Sequence, residues 1–245
     1  RAILRSLALY YASPARRRAM HRLHASLVRP GGLVFDVGSH VGDRIASFRR
    51  LGCRVVAVEP HPTLARLLRL LYGRDDQVIV EDVAVAASSG TIELCIDRDN
   101  LMVSTASRDF RAAASGAPGW DGLRWEQSIT VAAETLDRLI ARHGVPAFIK
   151  LDVEGFEGEA LAGLTAAVPA LSFEFTTIRP SIALGCIARC GELGAYRFNA
   201  SLGETQRLVH PAWLTPTAIA SWLTALPRET NSGDIYARLA PAPSS

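Results

Sequence analysis

Lys150, Asp152 and Glu154 stand at alternate positions in the segment FIKLDVEGFE, Phe148 to Glu157. A carboxylate beside a positioned lysine can do proton chemistry. The acid orients a hydroxyl and takes its proton, and the ammonium keeps that acid ionised or orients an oxygen of the reacting partner. The chain has 27 Lys and Arg residues; Lys150 is the single lysine, which leaves 26 arginines. Lysine is a compact charge on a flexible stem and arginine a broad planar fork, so a narrow site admits the first and refuses the second. A plainer use of the same residues is structural. Lys150 would then pair with Glu154 or Glu174 to bridge strands, and Glu157 would serve the N-terminus of the following helix.

A second group of residues points to a ligand. In VFDVGSHVGD, Asp36 ends an apolar run, and Gly38 and Gly42 follow before a helical pattern begins. Glycines there let the chain turn tightly and let a ligand approach the main chain. The spacing is not the Gly-x-Gly-x-x-Gly that grips a pyrophosphate, and an acid just before the glycines opposes a phosphate. It suits a cation, and S-adenosylmethionine, with its sulfonium and α-ammonium, is such a ligand. Glu59 in VAVEP is placed to accept from two ribose hydroxyls. Asp82 in EDVAV is placed to accept from an adenine amino group, and the backbone N–H of Val83 to donate to a ring nitrogen. His40 and Asp43 lie in the first loop, where they either meet the ligand's carboxylate or amine or act as loop and helix-cap residues. Asp36, Glu59 and Asp82 each fall at a strand end, and together they mark one edge of a sheet far better than any one alone.

The elements that would position these residues alternate along the chain. LVFDVG is a short apolar strand, Leu33 to Val37, RVVAVEP a second, stopped by Pro60, and QVIVEDVAV carries a third with Asp82 at its end; helices at about 42 to 51 and at PTLARLLRLLYG separate them. This β-α-β rhythm implies a parallel sheet with helices on both faces. Residues 88–133 interrupt it with two strand-like stretches, SGTIELCID and QSITVAA, around a loop, which reads as a β insertion or lid over one end of the sheet. AETLDRLIARHG is a helix, PAFIKL a buried strand, GFEGEALAGL a helix and ALSFEF a strand, followed by a helix near 179–191. AYRFNAS and GDIYARL pair as the last, antiparallel strands, around the segment PAWLTPTAIASWLTAL, in which His210 and Trp213 read as packing residues rather than pocket lining. The fold class is therefore α/β, doubly wound. Residues 1–29 form an N-terminal helical segment, 30–240 the main domain and 241–245 a disordered tail.

Composition narrows the function. A net charge of +3 over 245 residues, with bases and acids interspersed, leaves no nucleic-acid footprint. Cys53, Cys95, Cys186 and Cys190 form no disulfide-dense or zinc-spaced pattern, so free thiols and a reducing, cytoplasmic setting are expected. No apolar run reaches the length of a transmembrane segment. The chain begins at Arg1 rather than Met, which leaves room for a preceding segment. Asp152, Glu154 and Glu174 are oxygen donors of the kind a divalent ion takes, but no histidine cluster accompanies them and no metal is expected.

FDVGSHVGD, VVAVEPHP, EDVAV, ETLDRLI, IKLDVEGFEGEALAGL and LSFEF, in this order, resemble the FkbM-family methyltransferases over roughly residues 30–178. IKLDVEGFE is the specific part. Ser39 and His40 depart from the family's usual Asp-Val-Gly-Ala-Asn loop. The resemblance implies a seven-stranded class I (Rossmann-like) methyltransferase fold and S-adenosyl-L-methionine as cofactor. It also implies Asp36, Gly38, Gly42, Glu59 and Asp82 at that cofactor, and O-methylation of a sugar or natural-product hydroxyl. No Asn/Asp-Pro-Pro-aromatic motif follows the fourth strand, which argues against nucleobase acceptors. Two other readings use the same sheet. One is a nucleotide-dependent oxidoreductase, disfavoured by the glycine spacing and the lack of a Tyr-x-x-x-Lys pair. The other is a non-catalytic binder of the cofactor, disfavoured by the intact Lys150 and Asp152.

Overall fold

The computed structural model describes residues 13–97, 104–117, 120 and 122–241. Helix α1 (Pro14–Ala25) leads into β1 (Leu33–Val37), α2 (Asp43–Arg50), β2 (Arg54–Val58), α3 (Pro62–Tyr72), β3 (Val78–Glu81) and the short β4 (Ala84–Val85). The insertion carries β5 (Gly90–Ile96), α4 (Arg108–Ala114) and β6 (Gln127–Glu134). Then come α5 (Leu136–His143), β7 (Phe148–Leu151), α6 (Glu157–Ala162), β8 (Ala170–Thr176), α7 (Pro180–Leu193), β9 (Tyr196–Leu202), α8 (Pro216–Thr224) and β10 (Ser232–Leu239).

The main sheet has seven strands in the order β3-β2-β1-β7-β8-β10-β9. β1 pairs parallel with both β2 and β7, and β10 runs antiparallel to β8 and β9. This is the doubly wound α/β sheet with an antiparallel last strand that the sequence implies. The chain winds outward from β1 in both directions, so the crevice between the carboxyl ends of β1 and β7 is the topological switch point where such sheets bind ligands. Central strands are buried on both faces and run apolar for that reason. Every residue of β7 is buried, and Lys150 is the one charge among them.

Each face of the sheet has its own core. On one side Ile45, Phe48 and Leu68 from α2 and α3 pack with Leu23 of α1 against Val34, Val55 and Phe148. On the other, Leu136, Leu161 and Ile187 pack against Phe35, Ile149 and Phe173. Each such side chain contributes about 1.5–3 kcal/mol on burial.

Three sequence expectations are refined. The first described helix begins at Pro14, where Ser13 caps it by accepting from the Arg16 N–H at 3.3 Å, and the rest of the expected N-terminal helical segment, residues 1–12, lies outside the described residues. Within QVIVEDVAV the third strand, β3, ends at Glu81 next to Asp82 as expected, and the unexpected Ala84–Val85 pairs with β6 in a separate three-stranded sheet, β4-β6-β5. The polar turn at Asp82 hands the chain from the large sheet to the small one. The insertion is antiparallel as expected, Gly90–Ile96 against Gln127–Ala133, while 98–103 in its loop and the tail residues 242–245 lie outside the described residues. The four cysteines are free and buried.

Candidate active site

The loop after β1 is built to approach β7. Gly38 has φ +80°, and a Cβ there would sit 1.8 Å from the carbonyl oxygen of Asp152. No other residue type fits that approach. Asp152 closes the junction by donating its N–H to Val37 O at 3.0 Å. Gly42, at φ +78°, precedes α2; a Cβ there would meet Tyr72 at 2.7 Å, whose hydroxyl donates to the Gly42 carbonyl. Gly42 thus shapes the turn from behind.

Above this junction lies a small cavity of about 60 Å³. Gly38, His40, Glu59, Val83, Asp152 and Glu154 line it, with apolar walls from Leu64, Ile92 and Leu94. So the candidate cofactor and catalytic residues largely converge. Glu59 is buried, and its two carboxylate oxygens accept the backbone N–H groups of His40 (2.8 Å) and His61 (2.9 Å). Burial pushes its carboxyl up to about 7, against the pull of those N–H groups. His40, with φ +49°, is pushed down to about 4 by burial.

Some expected residues sit elsewhere. Asp36 lies beneath the cavity, level with Lys150 on β7, wholly buried, and both its oxygens lack hydrogen-bond partners. Burial raises it to about 6, with Arg44 pulling the other way. Asp82 is not brought to the cavity. Its side chain is 57% exposed and pairs with Arg69 of α3 at 2.9 Å, while its neighbour Val83 does line the wall. Asp43 opens α2 and is held by Arg16 of α1 at 3.0 Å; the same guanidinium binds Glu204 at 2.7 Å, so one arginine joins α1 to both. His210 packs on Trp222, and Trp213 lies under Arg238, as packing residues do.

At the β7 end, Lys150 is buried and donates to Asp234 Oδ1 of β10 at 2.7 Å and to Leu151 O at 3.2 Å, with Asp152 Oδ2 at 3.5 Å. It does not pair with Glu154 or Glu174; its strand-bridging partner is Asp234, two strands away. Burial lowers the ammonium, but Asp152 and Asp234 outweigh burial and hold it above the usual lysine range. Asp152 is gripped from its other side by Arg44 at 2.5 Å. Burial would raise its carboxyl; Lys150 and Arg44 overcome that and hold it below the usual carboxylate range. The sequence reading missed Arg44 and Asp234. Arg44 carries no signal as one of 26 arginines, whereas Asp234, an acid inside the apolar strand GDIYARL, does carry one.

The loop after Asp152 is held in place by neighbouring elements. Glu157 accepts the N–H groups of Val153 (3.1 Å) and Gly155 (3.3 Å), so it serves the turn as well as the start of α6. The insertion contributes Thr105, whose hydroxyl donates to the Glu154 carbonyl at 2.6 Å, and Phe110, which covers Gly155. Asp152, Glu154 and Glu174 each bring a carboxylate oxygen within 4.8 Å of the others. The arrangement offers an apolar slot with a buried carboxylate for a nucleoside. Beside it stands an ionised acid with neighbouring carboxyls for a reacting hydroxyl.

A family model described as the methyltransferase FkbM domain matches residues 36–203. The hexuronic acid methyltransferase AglP of Haloferax volcanii is 28% identical over 153 residues, 61% of this chain and 57% of that protein, so this chain spans little more than half of its relative. Among solved structures, a TehB-like S-adenosylmethionine-dependent methyltransferase from Corynebacterium glutamicum aligns at a TM-score of 0.48 and 12% identity, covering 97% of this chain and 94% of the other. An S-adenosylmethionine-dependent O-methyltransferase from Thermotoga maritima aligns at 0.43 and 13%, covering 94% and 67%.

Proposed function

The chain belongs to the FkbM methyltransferase family, and on that premise we propose that it is an O-methyltransferase acting on a hydroxyl of a small molecule, a sugar or a glycosylated natural product. The family makes S-adenosylmethionine its methyl donor. When bound, that cofactor supplies a sulfonium methyl group: a carbon–oxygen bond forms, the carbon–sulfur bond breaks with its electron pair going to sulfur, and the acceptor's proton must leave.

The observation that carries the proposal is the meeting of two unlike chemistries in one cavity. Glu59 and the apolar wall of Leu64, Ile92 and Leu94 suit a nucleoside, and Gly38 lets the loop after β1 lie directly against Asp152. Asp152, held ionised by Lys150 and Arg44, suits the removal of a hydroxyl proton. In this reading Glu59 accepts from the ribose hydroxyls, Val83 and its neighbours wall the base, and His40 and Asp36 shape the loop above and below Gly38. A sugar acceptor is supported by AglP, which is named for a hexuronic acid substrate. Among the described residues no helix is long and apolar enough to cross a membrane, and a small-molecule partner needs no such anchor.

Calorimetric titration with S-adenosylhomocysteine, with NAD as control, tests the cofactor half. Saturable binding of the first and none of the second is expected; binding of NAD alone would return the fold to an oxidoreductase reading. Transfer of labelled methyl to a panel of sugars and glycosides tests the acceptor half. Glu59→Gln should weaken S-adenosylhomocysteine by roughly ten- to a hundred-fold, the cost of a charge-assisted acceptor at about 1.5–3 kcal/mol. Wild-type affinity should also fall as pH drops through about 7, because the buried Glu59 then takes up a proton, loses its charge and becomes a weaker acceptor. The variant should be flat across that interval. Equal affinities and equal pH dependence would remove Glu59 from the cofactor site.

A further inference from the structure

We propose that Glu174 of β8 belongs to the reaction centre together with Glu154: the two carboxyls hold one proton between them and jointly bind a neutral acceptor hydroxyl, leaving Asp152 as the anion that receives its proton. The inference rests on the methyltransferase reading above and narrows its acceptor.

The geometry separates the three acids into two kinds. Asp152 has Arg44 at 2.5 Å and Lys150 at 3.5 Å. Among the described residues, neither Glu154 nor Glu174 has a basic side chain within ion-pair distance, although each offers an oxygen within 4.8 Å of the other and of Asp152. Glu174 Oε2 is inaccessible to solvent and has no hydrogen-bond partner. Glu174 lines a separate small cavity with Gly155 and Glu157, while Asp152 and Glu154 line the larger one; an orphaned buried acceptor between them calls for a partner that carries a proton.

Among the described residues no ion pair reaches either glutamate. Asp234 is the cross-strand neighbour of Glu174 on β10, and its carboxylate is taken by Lys150. Glu157 faces the pair from α6 and is itself a buried acid. Arg179 shares a small cavity with Glu174; its Nη2 pairs with Asp109 at 2.7 Å, and its buried Nε has no hydrogen-bond partner. Burial first, then Glu154, Asp152 and Glu157, push the Glu174 carboxyl well above its ordinary value. Burial, Asp152 and Glu157 do the same to Glu154; Lys150 pulls both the other way, and Arg44 pulls Glu154, without reversing either shift. Two such neighbouring buried carboxyls do not both ionise; a shared proton resolves the repulsion.

A half-protonated pair has one donor and spare acceptor positions. A hydroxyl, which both donates and accepts, matches it. A carboxylate or phosphate, which only accepts, meets the repulsion of the second glutamate. The site therefore selects a neutral hydroxyl at the methylated position. Any acid group on the acceptor is directed away from this corner, and Asp152 is the anion left to accept the departing proton.

The experiment is infrared difference spectroscopy of the full chain at pH 8, where Glu59 and Glu157, both near 7, are mostly ionised. Wild type minus Glu174→Gln should show the carbonyl stretch of a protonated carboxylic acid, with or without S-adenosylhomocysteine, and so should wild type minus Glu154→Gln. Glu174→Gln keeps a neutral donor and acceptor in place, so its turnover should stay within about tenfold of wild type. It should also lose the wild-type fall in rate at alkaline pH, whereas Glu174→Ala should lose turnover. Absence of the band, or its survival in both Gln variants, overturns the shared proton. So does binding of Mg²⁺ or Mn²⁺ to the metal-free protein that Glu174→Gln abolishes, since the cluster would then be a cation site. Failure of the wild type to bind S-adenosylhomocysteine is a different result: it sinks the methyltransferase reading and leaves the band to be judged by itself.

Discussion

Asp152→Asn should cut methyl transfer by roughly 10²–10⁴-fold, the usual worth of a positioned general base, and leave the affinity for S-adenosylhomocysteine within a few-fold. The substitution keeps the shape and an oxygen that can still accept from Arg44, whose guanidinium lies 2.5 Å away. The loop should therefore stay in place, since it rests on the Asp152 N–H to Val37 O and on Glu157 beneath Val153 and Gly155. What is lost is the negative charge that takes the hydroxyl proton. Lys150 keeps its closer partner, Asp234 at 2.7 Å, so the fold loses little. The pH profile offers a second check. Lys150 and Arg44 hold the Asp152 carboxyl below the usual range, so protonation of this group costs the wild type rate only in strongly acidic solution. Single-turnover transfer of labelled methyl, with calorimetry on the same sample, separates the two effects. Wild-type turnover by the Asn variant would take Asp152 out of the chemistry.

The reach of the sequence can be judged from individual side chains. Glycine spacing and one strand-end acid located the cavity because they are local features: Gly38 and Glu59 owe their place to the ends of β1 and β2, and each end is visible in a stretch of ten residues. Period-two alternation likewise placed Lys150 and Asp152 on one side, and they lie 3.5 Å apart. Asp82 shows where the same logic ends. It follows the strand as expected, yet the turn that passes the chain to the second sheet leaves it outside, against Arg69. Alternation predicts which way a side chain points inside a strand and says nothing about the residue just beyond it. The missed partners are of another kind. Arg44 meets Asp152 across 108 residues and Lys150 meets Asp234 across 84. Both pairings follow from the strand order, in which β7 lies beside β1 and β10 inserts between β8 and β9, and no local periodicity encodes that order. Thr105 and Phe110, which hold the Glu154–Gly155 turn from the insertion, are hidden for the same reason.

Lys150 is where the long-range and local accounts meet, and two substitutions there should part company. Lys150→Met removes a buried ammonium and strands Asp234, whose side chain is 10% exposed, beside Asp152 at 18%. Breaking a buried pair from one side typically costs about 3–5 kcal/mol, which for a chain of this size corresponds to a melting temperature lower by roughly 6–20 °C. Lys150→Arg keeps the charge and should unfold between the two, with S-adenosylhomocysteine still bound, because the lysine is not in the cavity wall. Its turnover should nevertheless be lost. The ammonium serves Asp234, Leu151 O and Asp152 from one point, at 2.7, 3.2 and 3.5 Å. A planar guanidinium places its donors along a fork and cannot direct them to three sites around one atom in a space this small. It would displace Asp152, which is also tied to Arg44, and so move the acid that receives the proton. Thermal unfolding, calorimetry and single-turnover rates on the two variants decide the matter. If Lys150→Arg turned over like the wild type, the lone lysine would be a strand bridge and nothing more, and Asp152 would be held for catalysis by Arg44 alone.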